Sequence, residues 1–519
     1  MQVSHQPRRH QALEVPEIAH LVLGECDLRS TTVSNILVCQ VWLQVGLSII
    51  WREVRDARRL VALLGQIDPC SINVRDNLDQ WNHFQAIYAW RIRRLILSDT
   101  IAFWSCLHNL ASNVVWNGPL FPQLEALDLR NTLNHLSTRL HLLVNSNVTK
   151  FVLQSPSVLN QEYLVDFVKN MPVLMPNLRH VELRITPPVS PQLSAACAEM
   201  CNALGNSLET LLLPPPPDCT SHVNAVAFHQ NLRVLCLAIE FYDIPEPTDD
   251  MELHYTRVLP VLPSHPSIFP SLRQLNLVCP VPLAIQLIEQ PGFPRNLTSL
   301  SIKSPSDTQS ELPSTVRHLS YALEAKCPNL QYFSLDYFIE DTYYDNIPNG
   351  MITYDDLAPL RSCTKMRHFS IFAHLYPLSI NDEELALLVS AWPHLTALHL
   401  NPDPLMVYDE DVWPRERKQL TWRSFLGLAR YVPRLEVVLV LIDPVPRGVP
   451  SLEEVESHGR DFGEFGPKLL KLGYLNAGML CDPLSARIEE NPELKGFLYK
   501  MAPKKCVFDH RDMYTRYVI

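Results

Sequence analysis

A short apolar phrase recurs along most of this chain. At Phe121 the sequence reads Phe-Pro-Gln-Leu-Glu-Ala-Leu-Asp-Leu-Arg, in which Leu124, Leu127 and Leu129 form the frame L-x-x-L-x-L. The last two apolar positions are two residues apart, so in a strand their side chains point to the same face. One such strand cannot bury that face alone. Copies stacked side by side would form a parallel sheet over a continuous core.

The other copies of the phrase have the same frame. They start at Leu178, Leu208, Leu232, Leu272, Leu297, Leu330, Met366, Leu395 and Leu435, with weaker copies at Val148 and Leu469 and an incomplete one near Ile92. The phrase resembles the leucine-rich repeat, L-x-x-L-x-L-x-x-N/C, although the Asn/Cys step is mostly missing and the spacing is irregular, roughly 24 to 40 residues. An ordinary α/β domain with leucine-rich strands is the alternative, which about a dozen copies disfavour.

The resemblance implies an irregular α/β solenoid over residues 91–480. We expect a curved array with the parallel sheet on its concave side and helices outside. Helix-start signals between the phrases support the α/β prediction: Ser190-Pro191, Thr353 with Asp356, and Asn381 with Glu384. Residues 1–11 are expected to form a disordered tail, 61–90 a linker or cap, and 481–519 a C-terminal cap and tail.

The N-terminal segment, residues 12–60, has a different pattern, with helical spacing of its apolar residues. It contains Val15-Pro16-Glu17-Ile18, then Val38-Cys39-Gln40-Val41-Trp42, then Ile50-Trp51-Arg52. These stretches resemble the F-box, which reads L-P-x-E-I, V-C-R/K-x-W and L-W-R. The sequence departs from that motif at Val15 and at Gln40, where the family has leucine and a basic residue.

An F-box followed by leucine-rich repeats is typical of one group of F-box proteins that is widespread in fungi. The resemblance implies that this segment docks on the Skp-type adaptor of a cullin–RING ubiquitin ligase. The candidate residues, for the helical core and the docking face together, are Pro16, Ile18, Leu21, Val22, Val38, Trp42 and Trp51. The alternative is a helical cap that closes the first repeat.

A target protein would contact residues that alternate with the buried leucines, because these face the other side of each strand. The candidates form pairs of mixed charge, which suits a protein partner: Asp128 and Arg130, Glu182 and Arg184, Ser301 and Lys303, Ser334 and Asp336, and His399 and Asn401. If this face does not bind the target, the inserts between repeats would supply the site, with Tyr343, Tyr344 and Trp413 as anchors.

Charge and cysteine usage limit the possible partners and compartment. The net charge of -11 and the pI near 5.9 argue against a nucleic acid or an anionic membrane as the main partner. The 13 cysteines include no C-x-x-C pair, which favours buried free thiols in a reducing compartment. With no signal peptide or spanning segment in the sequence, we expect a cytoplasmic or nuclear protein.

No motif for chemistry occurs in the sequence. The chain lacks G-x-G-x-x-G, G-x-x-x-x-G-K, G-x-S-x-G and H-x-x-x-H, so we predict no catalytic residues, no cofactor and no metal, and we do not expect an enzyme. His180, His368 and His399 are expected to be solvated strand residues. Two functions stay open: the substrate receptor of a ubiquitin ligase, and a free-standing repeat scaffold that binds a protein.

Overall fold

The computed structural model describes the greater part of the chain. It covers residues 15–25, 39–64, 82–98, 103–104, 118–130, 140–155, 161–185, 189–214, 216, 218–237, 258, 262, 268–305, 312–338, 350–373, 376–401, 418–442, 449–451, 453–454, 474–478 and 507–508. The predicted tail at 1–11, Val38, Tyr343, Tyr344 and Trp413 lie outside these ranges. The chain forms two compact units, Met1–Leu211 and Leu212–Ile519.

The first unit begins with helices and continues as strands that alternate with helices. Its helices are α1 (Pro16–Glu25), α2 (Gln40–Ile50), α3 (Ala57–Leu64), α4 (Gln161–Leu174) and α5 (Pro191–Leu204). Its strands are β1 (Glu53–Val54), β2 (Arg94–Ser98), β3 (Ala126–Arg130), β4 (Lys150–Ser155) and β5 (His180–Ile185), and β6 (Thr210–Leu212) follows at its end. Strands β1 to β5 pair in parallel and in chain order.

The second unit has the same architecture. Its helices are α6 (Thr220–Val226), α7 (Val281–Glu289), α8 (Leu312–Lys326), α9 (Tyr354–Leu357), α10 (Asp382–Val389) and α11 (Ser424–Tyr431). Its strands are β7 (Val234–Leu237), β8 (Gln274–Val278), β9 (Ser299–Pro305), β10 (Tyr332–Phe338), β11 (Ile352–Thr353), β12 (His368–Ala373), β13 (Leu378–Ser379), β14 (Ala397–Leu400), β15 (Val437–Leu441), β16 (Tyr474–Gly478) and β17 (Val507–Phe508).

The strands of the second unit follow one another almost in chain order. The parallel sheet runs β7-β8-β9-β10-β12-β14-β15-β16-β17, while β11 and β13 pair separately as a two-stranded parallel sheet. Parallel neighbours need a crossover between them, and helices supply several of these connections. The prediction of an α/β chain with a parallel sheet is thus confirmed in each unit.

The apolar positions of the phrase form the core. Leu124, Leu127 and Leu129 are fully buried, and the corresponding residues of the other described copies, such as Leu395 and Leu398, are buried as well. The residues between them lie on the opposite side of each strand, which we call the open face of the sheet. This division follows from the period of two along a strand.

One backbone carbonyl per repeat couples neighbouring repeats. It belongs to the residue after the first apolar position of the phrase. The Arg273 carbonyl, for example, accepts N–H groups from Thr298 at 2.8 Å and Ser299 at 2.9 Å. The carbonyls of Arg93 and Arg367 do the same for their next repeats. The double hydrogen bond holds each strand entry in register with the preceding one.

The predicted helix starts are confirmed. Asn381 and Glu384 form a capping box, in which the Glu384 N–H donates to Asn381 Oδ1 at 2.8 Å and the Asn381 N–H to Glu384 Oε2 at 3.1 Å. The Thr353 N–H donates to Asp356 Oδ2 at 2.7 Å. Ser190 accepts a hydrogen bond from the third residue after it at 3.2 Å. Each contact satisfies an N–H group or backbone end that the helix leaves unpaired.

Asn401 departs from the prediction that it faces outward. Its side chain is only 2% exposed, and its backbone has a φ of 41°, in the left-handed region that asparagine tolerates. Its Oδ1 accepts from the Ala373 N–H at 3.0 Å, and its Nδ2 donates to the carbonyls of Ala373 at 3.0 Å and Tyr376 at 2.9 Å. The turn at the end of the strand directs this side chain inward, where it joins the ends of β12 and β14.

Removing a buried phrase leucine is expected to destabilise the chain. Leu398→Ala should lower the free energy of unfolding by ~2–5 kcal/mol, because it removes buried methyl groups and leaves a cavity. The same loss is expected for Leu127→Ala. The matched control is Leu387→Ala on α10, where the side chain is 50% exposed and the change should be less than ~1 kcal/mol. Urea denaturation measures all three, and equal effects of the buried and exposed substitutions would contradict the core described above.

Asn401→Ala is expected to cost about 2–4 kcal/mol of unfolding free energy, since it leaves backbone groups of Ala373 and Tyr376 without their partner. Urea denaturation again provides the measurement. Asn224→Ala, at an exposed position of α6, is the control and should have little effect. A loss at Asn401 no larger than at Asn224 would show that the buried amide is not needed for stability.

Candidate functional site

The N-terminal helices α1 and α2 share a small apolar core. Ala19 and Leu23 of α1 are four residues apart, so they lie on one face of the helix, and both are fully buried against Trp42 of α2. Partly buried residues of α2, among them Leu43 and Ile49, pack around this cluster. Trp42 therefore belongs to the helical core.

The outer face of α1 carries exposed apolar side chains. Ile18, Leu21 and Val22 are 38%, 70% and 44% exposed, and Pro16 is exposed as well. Trp51 lies apart from them, with its ring 5.0 Å from that of Tyr88 in an edge contact. The structure thus divides the predicted docking residues into one core residue, one residue against the segment before the repeats, and four on an open helix surface; Val38 is outside the described residues.

Arg91 holds α2 against the start of the repeat array. This residue is 5% exposed, and burial lowers its pKa. Its guanidinium donates to Gln44 Oε1, to the Ile87 carbonyl and, at 3.3 Å, to Ser48 Oγ, and it lies 4.1 Å from the ring centroid of Trp90. Both α2 residues are thereby tied to the segment that leads into β2.

The chain passes from α2 directly into the sheet. Glu53 and Val54 pair with Arg94 and Leu95 of β2, and the Arg52 carbonyl accepts the N–H groups of Arg93 at 3.0 Å and Arg94 at 2.9 Å. Strand β1 lies inside residues 12–60, which the sequence analysis assigned to the helical segment. The exposed face of α1 is therefore carried by helices whose connection to the array is short and hydrogen-bonded.

The open face of the first unit has charged side chains that pair within their own strands. Asp128 accepts from Arg130, with Nη2 2.9 Å from Oδ2. Glu182 accepts from Arg184 and, at 3.3 Å, contacts His180 Nε2. Burial acts to raise the pKa of Glu182, but the hydrogen bonds and charges of His180 and Arg184 outweigh it, so its pKa is lowered.

The open face of the second unit brings four predicted residues together. Ser301 lies beside Ser334, and Lys303 beside Asp336, on the paired strands β9 and β10. All four are half-buried. Asn401, predicted for the same surface, lies buried at the strand end as described above. The two strands thus present a patch with one positive and one negative side chain.

An aromatic cluster beside this patch was not predicted. The rings of Tyr332 and His368 are stacked with centroids 4.3 Å apart, and His399 contacts His368 edge-on at 4.9 Å. His399 Nδ1 lies 3.4 Å from Ser370 Oγ, and the ring of Phe372 makes an edge contact with the imidazole of His399, with centroids 5.8 Å apart. The expectation that His368 and His399 are solvated is wrong, because neighbouring strands place these rings against one another.

Burial of the imidazoles changes their protonation. It lowers the pKa of His368 to about 4 and that of His399 to about 3, with the neighbouring His368 adding to the effect on His399. Both rings are therefore neutral at pH 7. The sequence did contain a signal for this contact: Tyr332 and His368 occupy the same position in consecutive phrases, and such positions become neighbours when the strands pair in register.

The described cysteines are free, and those in the repeats are buried. Burial raises the pKa of the Cys197 and Cys219 thiols to about 12, so neither is a thiolate at neutral pH. Within the described ranges, no group of three or more His, Cys, Asp or Glu side chains could hold a metal ion. None of the helices that the structure describes has the length and apolarity to cross a lipid bilayer.

Comparisons with known proteins find similar solved structures but no similar sequence. No protein-family model matches the chain, and no curated protein sequence does. The crystal structure of the Rad7 and Elc1 complex in yeast contains a chain similar to this one, with 15% sequence identity and a TM-score of 0.40. The match covers 82% of this chain and 96% of that one.

The buried imidazoles predict a dependence of stability on pH. The pKa values of His368 and His399 lie below the ordinary 6.5, so between pH 6.5 and about 4 the unfolded chain binds protons that the folded chain does not. Each histidine should therefore lower the free energy of unfolding by up to about 1.4 kcal/mol per pH unit as the pH falls.

The double variant His368→Gln/His399→Gln tests this slope. Urea denaturation at several pH values between 7.5 and 4.5 should give a shallower loss of stability than in the unmodified chain. The slope is the readout, because the substitutions also change the stability at pH 7. His222, whose pKa burial lowers to about 4, remains in both proteins as a shared background. Identical slopes would mean that the two imidazoles titrate normally in the folded chain.

Proposed function

We propose that this chain is the substrate-recognition subunit of a Skp–cullin–F-box ubiquitin ligase. Its N-terminal helices would bind the Skp-type adaptor, and its repeats would bind the target protein. The observation that carries the proposal is the exposed apolar face of α1, formed by Ile18, Leu21 and Val22 within the F-box-like sequence. Contiguous exposed apolar side chains favour association with a partner.

The arrangement of α1 supports docking as a rigid surface. Its inner face is used by the cluster around Trp42, so the outer residues do not stabilise the helix pair. The hydrogen bonds of Arg91 and the pairing of β1 with β2 make a short, hydrogen-bonded connection between the helices and the array. A target held by the repeats would then be kept at a high effective concentration near the ubiquitin-conjugating enzyme, and the chain itself would carry out no chemistry.

A free-standing scaffold is the second candidate function. The contacts of Arg91 with Gln44 and Ser48 favour it, because they seat α2 against the first repeat, as a cap would be seated. In that function no adaptor binds, and the open faces alone bind a protein. In both proposals the target would contact the predicted residues of the open faces: Asp128, Arg130, Glu182, Arg184, Ser301, Lys303, Ser334, Asp336 and His399.

Adaptor binding is expected to depend on the outer face of α1. Leu21→Glu should weaken binding to purified Skp-type adaptor by about a hundredfold or more. In the complex the adaptor would bury the Leu21 side chain, and the substitution places an unpaired charge in that contact. Isothermal calorimetry or a pull-down measures the affinity. The thermal melt should change little, since Leu21 is 70% exposed.

The matched control is Leu387→Glu on α10, which places the same charge at another exposed leucine and should leave adaptor binding unchanged. No binding of the intact chain to the adaptor would favour the scaffold. Equal binding by Leu21→Glu and the intact chain would place the adaptor elsewhere on the molecule. Deletions made for the same purpose should end before Glu53, because removing β1 exposes the edge of β2.

A further inference from the structure

The turn edge of the sheet carries different charges in the two units. By turn edge we mean the residues that flank the first apolar position of each phrase, just before the strand. In the first unit these residues form ion pairs between consecutive repeats: Arg93 with Glu125 at 2.5 Å, and Arg179 with Glu209 at 3.4 Å. Both of these arginines are offset by an acidic side chain on the next repeat.

The turn edge of the second unit has cations that form no ion pair with an acidic side chain in the described part of the chain. Five exposed basic side chains lie along it, Arg233, Arg273, Lys365, Arg367 and Arg434, and a sixth, Arg295, lies one residue further from its phrase. The described ion pairs of this unit involve other residues, on its helices and loops. Arg273 donates to the Asn296 carbonyl at 3.0 Å and Lys365 to Asn329 Oδ1 at 2.7 Å, which leaves both side chains charged.

These side chains lie in a line because the strands that follow them are in register. The first residues of these strands pair in succession across the sheet: Val234, Gln274, Ser299, Tyr332, His368, Ala397 and Val437. At about 4.8 Å per strand the line is about 29 Å long, the length of about nine residues of extended chain. Glu436 is the one acidic residue among the described turns of this unit.

We infer that the turn edge of the second unit binds an extended acidic segment of a target protein. Only the identification of the acidic segment as part of a target protein rests on the proposed function. Arginines in a row, without ion pairs to the described acidic side chains, offer planar donor groups for carboxylates. A short acidic segment suits this edge better than a nucleic acid, because the chain's net charge of -11 repels a long polyanion outside the stripe.

The test uses defined peptides and the full chain without adaptor. The probe is a fluorescein-labelled peptide of about twelve residues in which glutamate alternates with serine. Its partner probe has glutamine in place of glutamate, and a single-stranded oligothymidylate of similar length is the third. Fluorescence anisotropy is measured with the unmodified chain, with Arg273→Gln/Arg367→Gln, and with the matched control Arg93→Gln/Arg179→Gln from the same turn position of the first unit.

The glutamate peptide should bind, and the glutamine peptide should not. The double substitution in the second unit should weaken glutamate-peptide binding by about fivefold or more, while the control in the first unit should leave it within about twofold. Raising the salt from about 0.05 M to about 0.2 M should weaken binding further. Arg179, Arg273 and Arg367 are exposed and Arg93 is half-buried, and thermal melts check that the variants fold.

Three results would overturn the inference: equal binding of the two peptides, equal loss in the two double variants, or tighter binding of the oligonucleotide through Arg273 and Arg367. The last would assign this edge to nucleic acid. These peptide measurements contain no adaptor. A negative result in them would overturn the acidic-segment inference alone, whereas unchanged adaptor binding by Leu21→Glu would count against the proposed function alone.

Discussion

The double hydrogen bond at the strand entry is the interaction on which the rest of each unit depends. A single carbonyl, such as that of Thr298, accepts the N–H groups of Gln331 at 2.8 Å and Tyr332 at 3.0 Å. This contact positions the next strand one step along the sheet, and the phrase leucines then meet their counterparts in the core. Threonine at this position adds its hydroxyl, as Thr396 Oγ1 does to the Arg367 carbonyl at 2.9 Å. Irregular connections between strands are tolerated because each entry is held locally.

The sequence was sufficient for the parts of the fold that depend on short spacings. A period of two places Leu127 and Leu129 in the core, and a spacing of three joins Asn381 to Glu384. The open face could not be predicted in the same way, because its contacts join residues from different repeats. The contacts of His368, stacked on Tyr332 and edge-on to His399, depend on strand register, and no single phrase contains that information.

The N-terminal helices show the same limit on a smaller scale. The motif named seven apolar residues without separating core from surface. Helical spacing puts Ala19 and Leu23 on one face and Leu21 with Val22 on another, but which face is buried depends on where α2 lies. Alanine is also a weak signal of burial in a sequence, since its side chain is small. Asn401 is the opposite case, a polar residue that turn geometry brings inside.

A cap and the proposed adaptor-binding surface are compatible, because they would use different atoms of the same helices. Arg91 anchors α2 through Gln44 and Ser48, and the cluster around Trp42 joins α1 to α2. Neither contact requires the outer side chains of α1, which are exposed apolar groups with no structural role in the described contacts. A purely structural cap would be better served by polar residues there, since exposed apolar side chains promote nonspecific association. The exposure of Leu21, and not the presence of the helices, is therefore the feature that favours a receptor over a scaffold.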